Sequence, residues 1–477
     1  MWFVKGAKSS TSLSRIGERA TRCDDERVLF AEPARVAQLD RASVFETEGW
    51  GFETLRARLM NTPHEPSHEP NHEPTHESDH ESDHESDHEP AAEQARVNSH
   101  DGTPVNVAAN CIEAVERALT RTPDRELAKA VVQLSNLYTT ERGKLAREQS
   151  SAIHLAAKSE YFLASDAPKV ALALGECVAR SDAFARLITL DTVRITDLGA
   201  GVGATSVGFI AWLANARAAR NITTPLRLDL HAVELGEPAA RAFTESVRVA
   251  AAHCEFDLAL RIEARDFKSI AVEARDLLLC QTALNELLVD ATHTRETIAM
   301  VTRWANAAPL LLVEPALKGS TRALMALRDE LLLAGGMHVV APCLHQQPCP
   351  MLARHDDWCH EARRLERTPR VEAIDKIVGR RDERALFAFL GTAPQACASV
   401  SQHVTLRIVT DTLGSRGKTE RLVCRSDGEM RMMRLLDREE RDGNRLFLRA
   451  KRGAILSIDP LPENNRIAPE AMVRPAL

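Results

Sequence analysis

The chain has 477 residues, 44% of them hydrophobic, enough for two or three domains with real cores. No apolar run approaches the roughly 20 residues a membrane span needs, and no apolar h-region marks a secretory leader. The net charge of −7 hides a mildly basic body: residues 64–90 hold ten acidic and no basic residues, whereas residues 416–452 hold 12 Lys and Arg against seven Asp and Glu. That balance suits a nucleic-acid partner without requiring one. With 4% aromatics, a base-stacking platform is not expected. Ten cysteines without a regular framework argue for a reducing compartment, where a cysteine cluster suggests metal rather than disulfides.

The chain opens with MWFVKGAKSSTSLSRIGERATRC, which is basic, Ser-rich and poor in acid, in the manner of a mitochondrial transit peptide. The following RVAQLDRASVFETEGWGFETLRAR resembles instead the spurious peptide produced when a bacterial tRNA gene is translated. The expectation is a native start at Met60, residues 1–59 without evolved function, and a bacterial cytoplasmic protein. A mitochondrial location follows only if the N-terminus is a genuine transit peptide. Residues 64–90 repeat His every four residues, from His64 to His88, and match HExxH six times. Pro66, Pro70 and Pro74 break any helix that would set two His on one face, as a zinc protease needs. A disordered segment is expected over 1–103, with loose metal binding by its imidazoles left open.

Residues 104–190 read as a helical N-terminal domain: CIEAVERAL, RELAKAVVQLSNLY and APKVALALGECVARSDAFARLITL space apolar residues by three and four. From residue 191 the pattern becomes strand, loop, helix, repeated. TVRITDL, LRLDLHAVEL, LALRIEA, DLLLCQ, PLLLVEP and MHVVAP are near-continuous apolar strands, which predict a parallel sheet covered on both faces. RALFAFLGTA adds one more strand, closing an α/β domain over 191–400 with a cysteine-rich insertion at 341–375. Residues 401–460 predict basic β-hairpins with Gly turns, and 461–477 a tail.

In ITDLGAGVGA, Asp197 ends a strand and Gly199, Gly201 and Gly203 follow, letting the backbone turn sharply and approach a ligand. The third glycine comes one residue too early for a dinucleotide fingerprint. The D-L-G-x-G-x-G form resembles the first motif of class I S-adenosylmethionine (SAM) methyltransferases. That likeness implies a Rossmann-like sheet with Asp197 and the three glycines at the cofactor. It gives Glu234, ending the second strand, the ribose hydroxyls, and Asp266, after the third, the adenine amino group with Phe267 against the ring. An acid after a strand is also often only a cap, so Asp266 stays open. Asn285 and Glu286 follow the fourth strand, in the crevice where such sheets bind ligands. No N-P-P-[YF] follows that strand, and no catalytic base is assigned. Cys280 stands where a cytosine-C5 enzyme would place a nucleophile, but LLLCQTAL reads as a buried structural cysteine.

The stretch APCLHQQPCPMLARHDDWCH spaces Cys343, Cys349 and Cys359 as C-x5-C-x9-C, unlike the paired C-x2-C of zinc ribbons. A closed tetrahedral or cubane site needs a fourth ligand, and His345, His360, Cys397 and Cys424 are the candidates. VVAPCLHQQPCPML…DWCH, after LVEPALKGSTRALMALRDEL, together with YFLASDAPKV and LVCRSDG, resembles the methyltransferase-like family of the mitochondrial small ribosomal subunit, which has bacterial members. The resemblance spans roughly residues 105–455. It implies a class I methyltransferase fold, small-subunit rRNA as partner, and a 4Fe-4S cluster on Cys343, Cys349, Cys359 and Cys424; the x9 spacing is slightly longer than the family leads one to expect. Zinc, or unliganded thiols, are the alternatives for the cysteines. The expected function is SAM-dependent methylation of small-subunit rRNA during ribosome assembly, by a monomer with no membrane partner. A non-catalytic rRNA-binding assembly factor with zinc is the rival, and a redox or iron sensor a third reading.

Overall fold

A computed structural model describes residues 109–139, 151–288, 293–380, 384–395 and 404–476. The expectations for residues 1–103 (start site, transit peptide, His/Glu repeat) and for Cys397 lie outside the described residues.

The apolar strands assemble as their composition requires. The first sheet contains β1 (Thr192–Leu198), β2 (Arg227–Glu234), β3 (Asp257–Ala264), β4 (Leu277–Gln281), β5 (Leu310–Pro315), β6 (His338–Ala341), β7 (Glu361–Arg364) and β8 (Arg384–Ala393). Its order is β3-β2-β1-β4-β5-β8-β6, with β7 also on β8. β1 to β5 pair parallel, and β8 runs antiparallel between β5 and β6. Strand order reverses between β1 and β4, and this mixed sheet is a class I methyltransferase-like α/β fold. β4 is buried at all five residues, the signature of a strand covered on both faces.

One face carries α1 (Ala109–Leu119), α2 (Asp124–Thr139), α4 (Leu163–Val178), α6 (Ala204–Ala218) and α7 (Glu237–His253); α3 (Ala152–Ala157) and a π-helical turn (Lys158–Phe162) lead into α4, and the short α5 (Asp182–Ala185) follows it. The other face carries α8 (Asn285–Leu288), α9 (Thr294–Ala307) and α10 (Lys318–Ala334). Over its described residues, 109–139 and 151–190, the helical segment expected as an N-terminal domain is therefore not a domain with its own core. Val115, Leu134, Ala167 and Leu174 share one buried cluster with Ile195 and Leu228 of the sheet. The reason is visible at Gly208 on α6: a Cβ there would fall 2.2 Å from the Ala167 carbonyl oxygen, so α4 and α6 pack backbone to backbone. α11 (Pro369–Val378), capped by Thr368 and ended by Gly379 at φ +75, packs on the same side.

The second sheet contains β9 (Thr405–Ile408), β10 (Leu413–Ser415), β11 (Lys418–Arg425), β12 (Met430–Leu436), β13 (Ile455–Asp459) and β14 (Met472–Pro475), all antiparallel, with the short α12 (Leu446–Arg449) between β12 and β13. The expected tail is, over its described residues 461–476, part of the second sheet. β14 pairs with β13, Arg434 of β12 bridges Arg466, and Ile467, Ala471 and Val473 enter the core with Phe447 and Leu406. Alternation in so short a segment, interrupted by prolines, gave no sequence signal for that strand. Arg421 is fully buried in this sheet, donating to the carbonyls of Phe447 and Leu448.

Candidate functional site

Two constructions collect the residues singled out in the sequence. The first lies at the C-terminal ends of β1 and β4, where strand order reverses and open α/β sheets bind ligands. After β1, Gly199, Gly201 and Gly203 take φ +72, +54 and +103. Their roles differ. A Cβ at Gly199 would sit 2.6 Å from the Ala283 Cβ and 3.5 Å from the Phe267 ring, and one at Gly203 would sit 2.6 Å from Ser246 Oγ. These two glycines serve packing. A Cβ at Gly201 meets nothing within 4 Å, so this turn of the loop faces open space.

Glu234 ends β2 beside it. One carboxylate oxygen accepts from Gly201 N at 2.9 Å and the other from Gly236 N at 2.9 Å, so the acid braces the loop. Asp197 is fully buried. One oxygen accepts from Ser206 Oγ at 2.6 Å, and Oδ1 makes no hydrogen bond among the described residues. Burial pushes its carboxyl up to about 7, and the Glu234 charge adds to this against the Ser206 bond. An unpartnered buried carboxylate oxygen next to a glycine loop with open space fits a ligand that brings a donor or a positive charge.

The remaining residues divide. Asp266 caps the turn Phe267–Ser269, accepting from Lys268 N at 2.9 Å and pairing with Lys268 Nζ at 3.3 Å. Asn285 is buried; its Nδ2 donates to the Thr282 carbonyl at 2.9 Å and to Glu314 at 2.8 Å, while the other Glu314 oxygen accepts from Leu284 N at 3.1 Å. Asn285 therefore ties the loop after β4 to the end of β5. That loop holds Thr282 at φ +56, a conformation β-branched residues avoid. Cys280 is buried, and burial raises its thiol far above the ordinary range, which removes the thiolate a nucleophile needs. Glu286 lies at the start of α8.

The second construction is a cavity of about 50 Å³ whose lining includes Cys343, Cys349, Cys359 and Cys424. Three of the thiols come from the loop after β6 and one from β11 of the second sheet. The loop is held from α10: Arg328 donates to the carbonyls of His345 (2.7 Å) and Gln347 (2.8 Å), and Asp329 accepts from Cys349 N at 2.9 Å. Trp358 donates to the Ala316 carbonyl at 2.8 Å, and Arg180, just past α4, to the Cys343 carbonyl at 2.7 Å. Behind the cavity, Arg407 of β9 bonds Glu176 of α4 and Glu361 of β7, and Arg363 pairs with the same two acids at 3.0 and 2.7 Å. Burial, with the neighbouring thiols adding to it, pushes Cys349 up to about 11 and Cys424 up to about 12. His360 is pressed down to about 3 by burial and the nearby Arg452. Among the described residues no group of three or more His, Cys, Asp and Glu side chains is gathered so as to hold a metal ion.

Sequence reasoning did not find Ser206, Glu314, Arg328, Asp329 or the Glu176–Arg407 network. Each sits within a helix or strand whose pattern marks it only as one polar residue among others.

The family model described as mitochondrial small ribosomal subunit Rsm22 matches residues 192–454. No curated protein gives a significant match. Similar solved structures include precorrin-6y C5,15-methyltransferase from Geobacter metallireducens (15% identity, covering 44% of this chain and 84% of that one, TM-score 0.24). Another is N,N-8-amino-8-demethyl-D-riboflavin dimethyltransferase from Streptomyces davawensis (16%, 47% and 67%, 0.27). A third is a SAM-dependent methyltransferase from Methanosarcina mazei (15%, 43% and 92%, 0.23).

Proposed function

The chain belongs to the mitochondrial small ribosomal subunit Rsm22 family, and from that premise we propose that it is a SAM-dependent methyltransferase acting on small-subunit rRNA. The observation that carries this reading is the loop at the β1/β4 reversal: open space over Gly201, braced by Glu234, beside the unpartnered oxygen of buried Asp197. Bound SAM would supply an electrophilic methyl on a sulfonium. The chain's part is to bind and orient it, through Asp197, Gly199, Gly201, Gly203 and Glu234, with Phe267 and Asp266 at the nucleoside end. Asn285 acts indirectly in this scheme, by fixing the loop after β4 through Glu314. No catalytic base is assigned. The basic second sheet grips RNA phosphates, so binding should weaken steeply with salt.

Cys343, Cys349, Cys359 and Cys424 would hold a 4Fe-4S cluster that ties the second sheet to the first, a structural role consistent with the cavity lying between them. Four thiols lining one cavity suit a cluster in number and softness, and zinc is the alternative; the side chains of the described residues are gathered around neither as they stand. In this account the protein works as a monomer in a bacterial cytoplasm. No described helix is long and apolar enough to cross a membrane.

The test is methyl mapping of small-subunit rRNA in a wild-type and a deletion strain, with SAM binding measured on the purified protein. A methyl lost on deletion and restored by the wild-type gene, but not by an Asp197→Ala copy, supports the enzyme. SAM binding without any lost methyl, with rescue by the Asp197→Ala copy, leaves the assembly-factor reading in its place. Anaerobic purification decides the metal: a brown protein with equal iron and sulfide supports the cluster, and a colourless zinc-loaded one removes it.

A further inference from the structure

Resting on the cluster reading above, we infer that His345 is no ligand in the cysteine cavity but donates an N–H···S hydrogen bond to Cys424, set to raise the reduction potential of a cluster held there. The tautomer of His345 follows from its neighbours. A neutral imidazole has one N–H and one bare nitrogen. Nδ1 of His345 lies 3.2 Å from Gln347 N and 3.5 Å from Nη2 of Arg328. A backbone N–H and a guanidinium can only donate, so Nδ1 is the acceptor and the proton sits on Nε2. Nε2 is the nitrogen that lies 3.4 Å from Cys424 Sγ. The sulfur must therefore accept.

The arrangement leaves little freedom. His345 and Arg328 are both buried, and the guanidinium is pinned by the carbonyls of His345 and Gln347. Gly428, in the turn between β11 and β12, closes over the same place: a Cβ there would fall 2.8 Å from Gln347 and 3.7 Å from His345 Nδ1. To ligate metal through Nε2, His345 would have to move its proton to Nδ1, against two donors. A donor to a ligating sulfur draws electron density from it and favours the reduced cluster, which raises the potential.

The experiment compares anaerobically purified wild type with His345→Ala, His345→Gln and Cys424→Ser, by iron and sulfide content and by a dye-mediated redox titration followed optically. His345→Ala should keep wild-type iron and shift its reduction equilibrium about tenfold toward the oxidised form, which is about 59 mV lower for a one-electron couple. His345→Gln, whose amide retains a donor, should fall between the two and guards against a folding defect in the alanine variant. Cys424→Ser should lose iron. Loss of iron in both His345 variants makes the residue a ligand and overturns the inference, as does full iron with an unchanged potential. Wild type without iron sinks the cluster reading and this inference with it, whereas iron in wild type with unaltered His345 variants sinks this inference alone.

Discussion

The glycine loop and the cysteine cavity are built on opposite plans. The loop is one short run, Asp197 to Gly203, whose backbone conformation does the work; three left-handed glycines and a single acid set its shape. The cavity takes three thiols from one loop, a fourth from another sheet, its supports from α10 and its backing from α4, β7 and β9. Each plan has its own point of failure. A site made of backbone geometry fails through changes within a few residues. A site made of side chains on separate elements fails when those elements come apart.

The largest expected effect tests the second half of that contrast. Arg407→Ala leaves the buried Glu176 and Glu361 short of a cation and should cost roughly 3–5 kcal/mol in chemical denaturation. On the cluster reading proposed above, it should also release iron from a cavity it does not line. Metal retained at full occupancy would break the comparison, since the cavity would then be as self-sufficient as the loop.

Asp197 gives the next effect. Its folded carboxyl titrates at about 7, against about 3.9 in an unfolded chain. Below about pH 4 both states hold the proton. As pH rises from about 4 to 7, the unfolded state loses it first, so stability falls through this window and the penalty is complete above about 7. Asp197→Asn should match wild type near pH 4 and exceed it at pH 8 by up to about 4 kcal/mol, read by thermal melts across pH. A flat difference between the two would mean the carboxyl is already paired.

Gly208→Ala sharpens the contrast from the scaffold side. Its methyl would press on the Ala167 carbonyl and should cost roughly 1–3 kcal/mol, spread over both constructions because α4 serves both. Gly201→Ala is the mildest for folding, about 1–2 kcal/mol for its left-handed backbone, because no atom lies where its Cβ would go. It should nonetheless weaken SAM about tenfold or more by calorimetry, with the cavity untouched. An unchanged affinity would place the cofactor elsewhere.

Much of the first sheet was legible. Continuous apolar strands between amphipathic helices predicted a parallel sheet covered on both faces; β1 to β6 and β8 fall where the pattern placed them, but β8 runs antiparallel and makes the sheet mixed, a direction that strand composition does not encode. The short β7 was not foreseen, because Glu361 to Arg364 reads as charged loop and is a strand only through pairing with β8. The independent helical domain did not survive either. An amphipathic helix advertises a face to bury but not the surface it will meet, and α4 meets the sheet. In the same way Asp266 and Asn285 were visible as polar residues at strand ends, yet their hydrogen bonds go to a turn and to Glu314.

Neighbours along the chain were enough for some features: the period of the apolar residues, the glycines that permit left-handed turns, the spacing of three cysteines on one loop. Features that depend on neighbours across the fold came from its packing. It brought Cys424 of β11 to the cavity, gave Asp197 a pKa near 7 by enclosing it, drew Ile467, Ala471 and Val473 into a core, and fixed the proton of His345 by facing Nδ1 with two donors. The physical reason is that burial and hydrogen-bond partnership are properties of a place in space, which many sequences reach by different routes and no local pattern encodes.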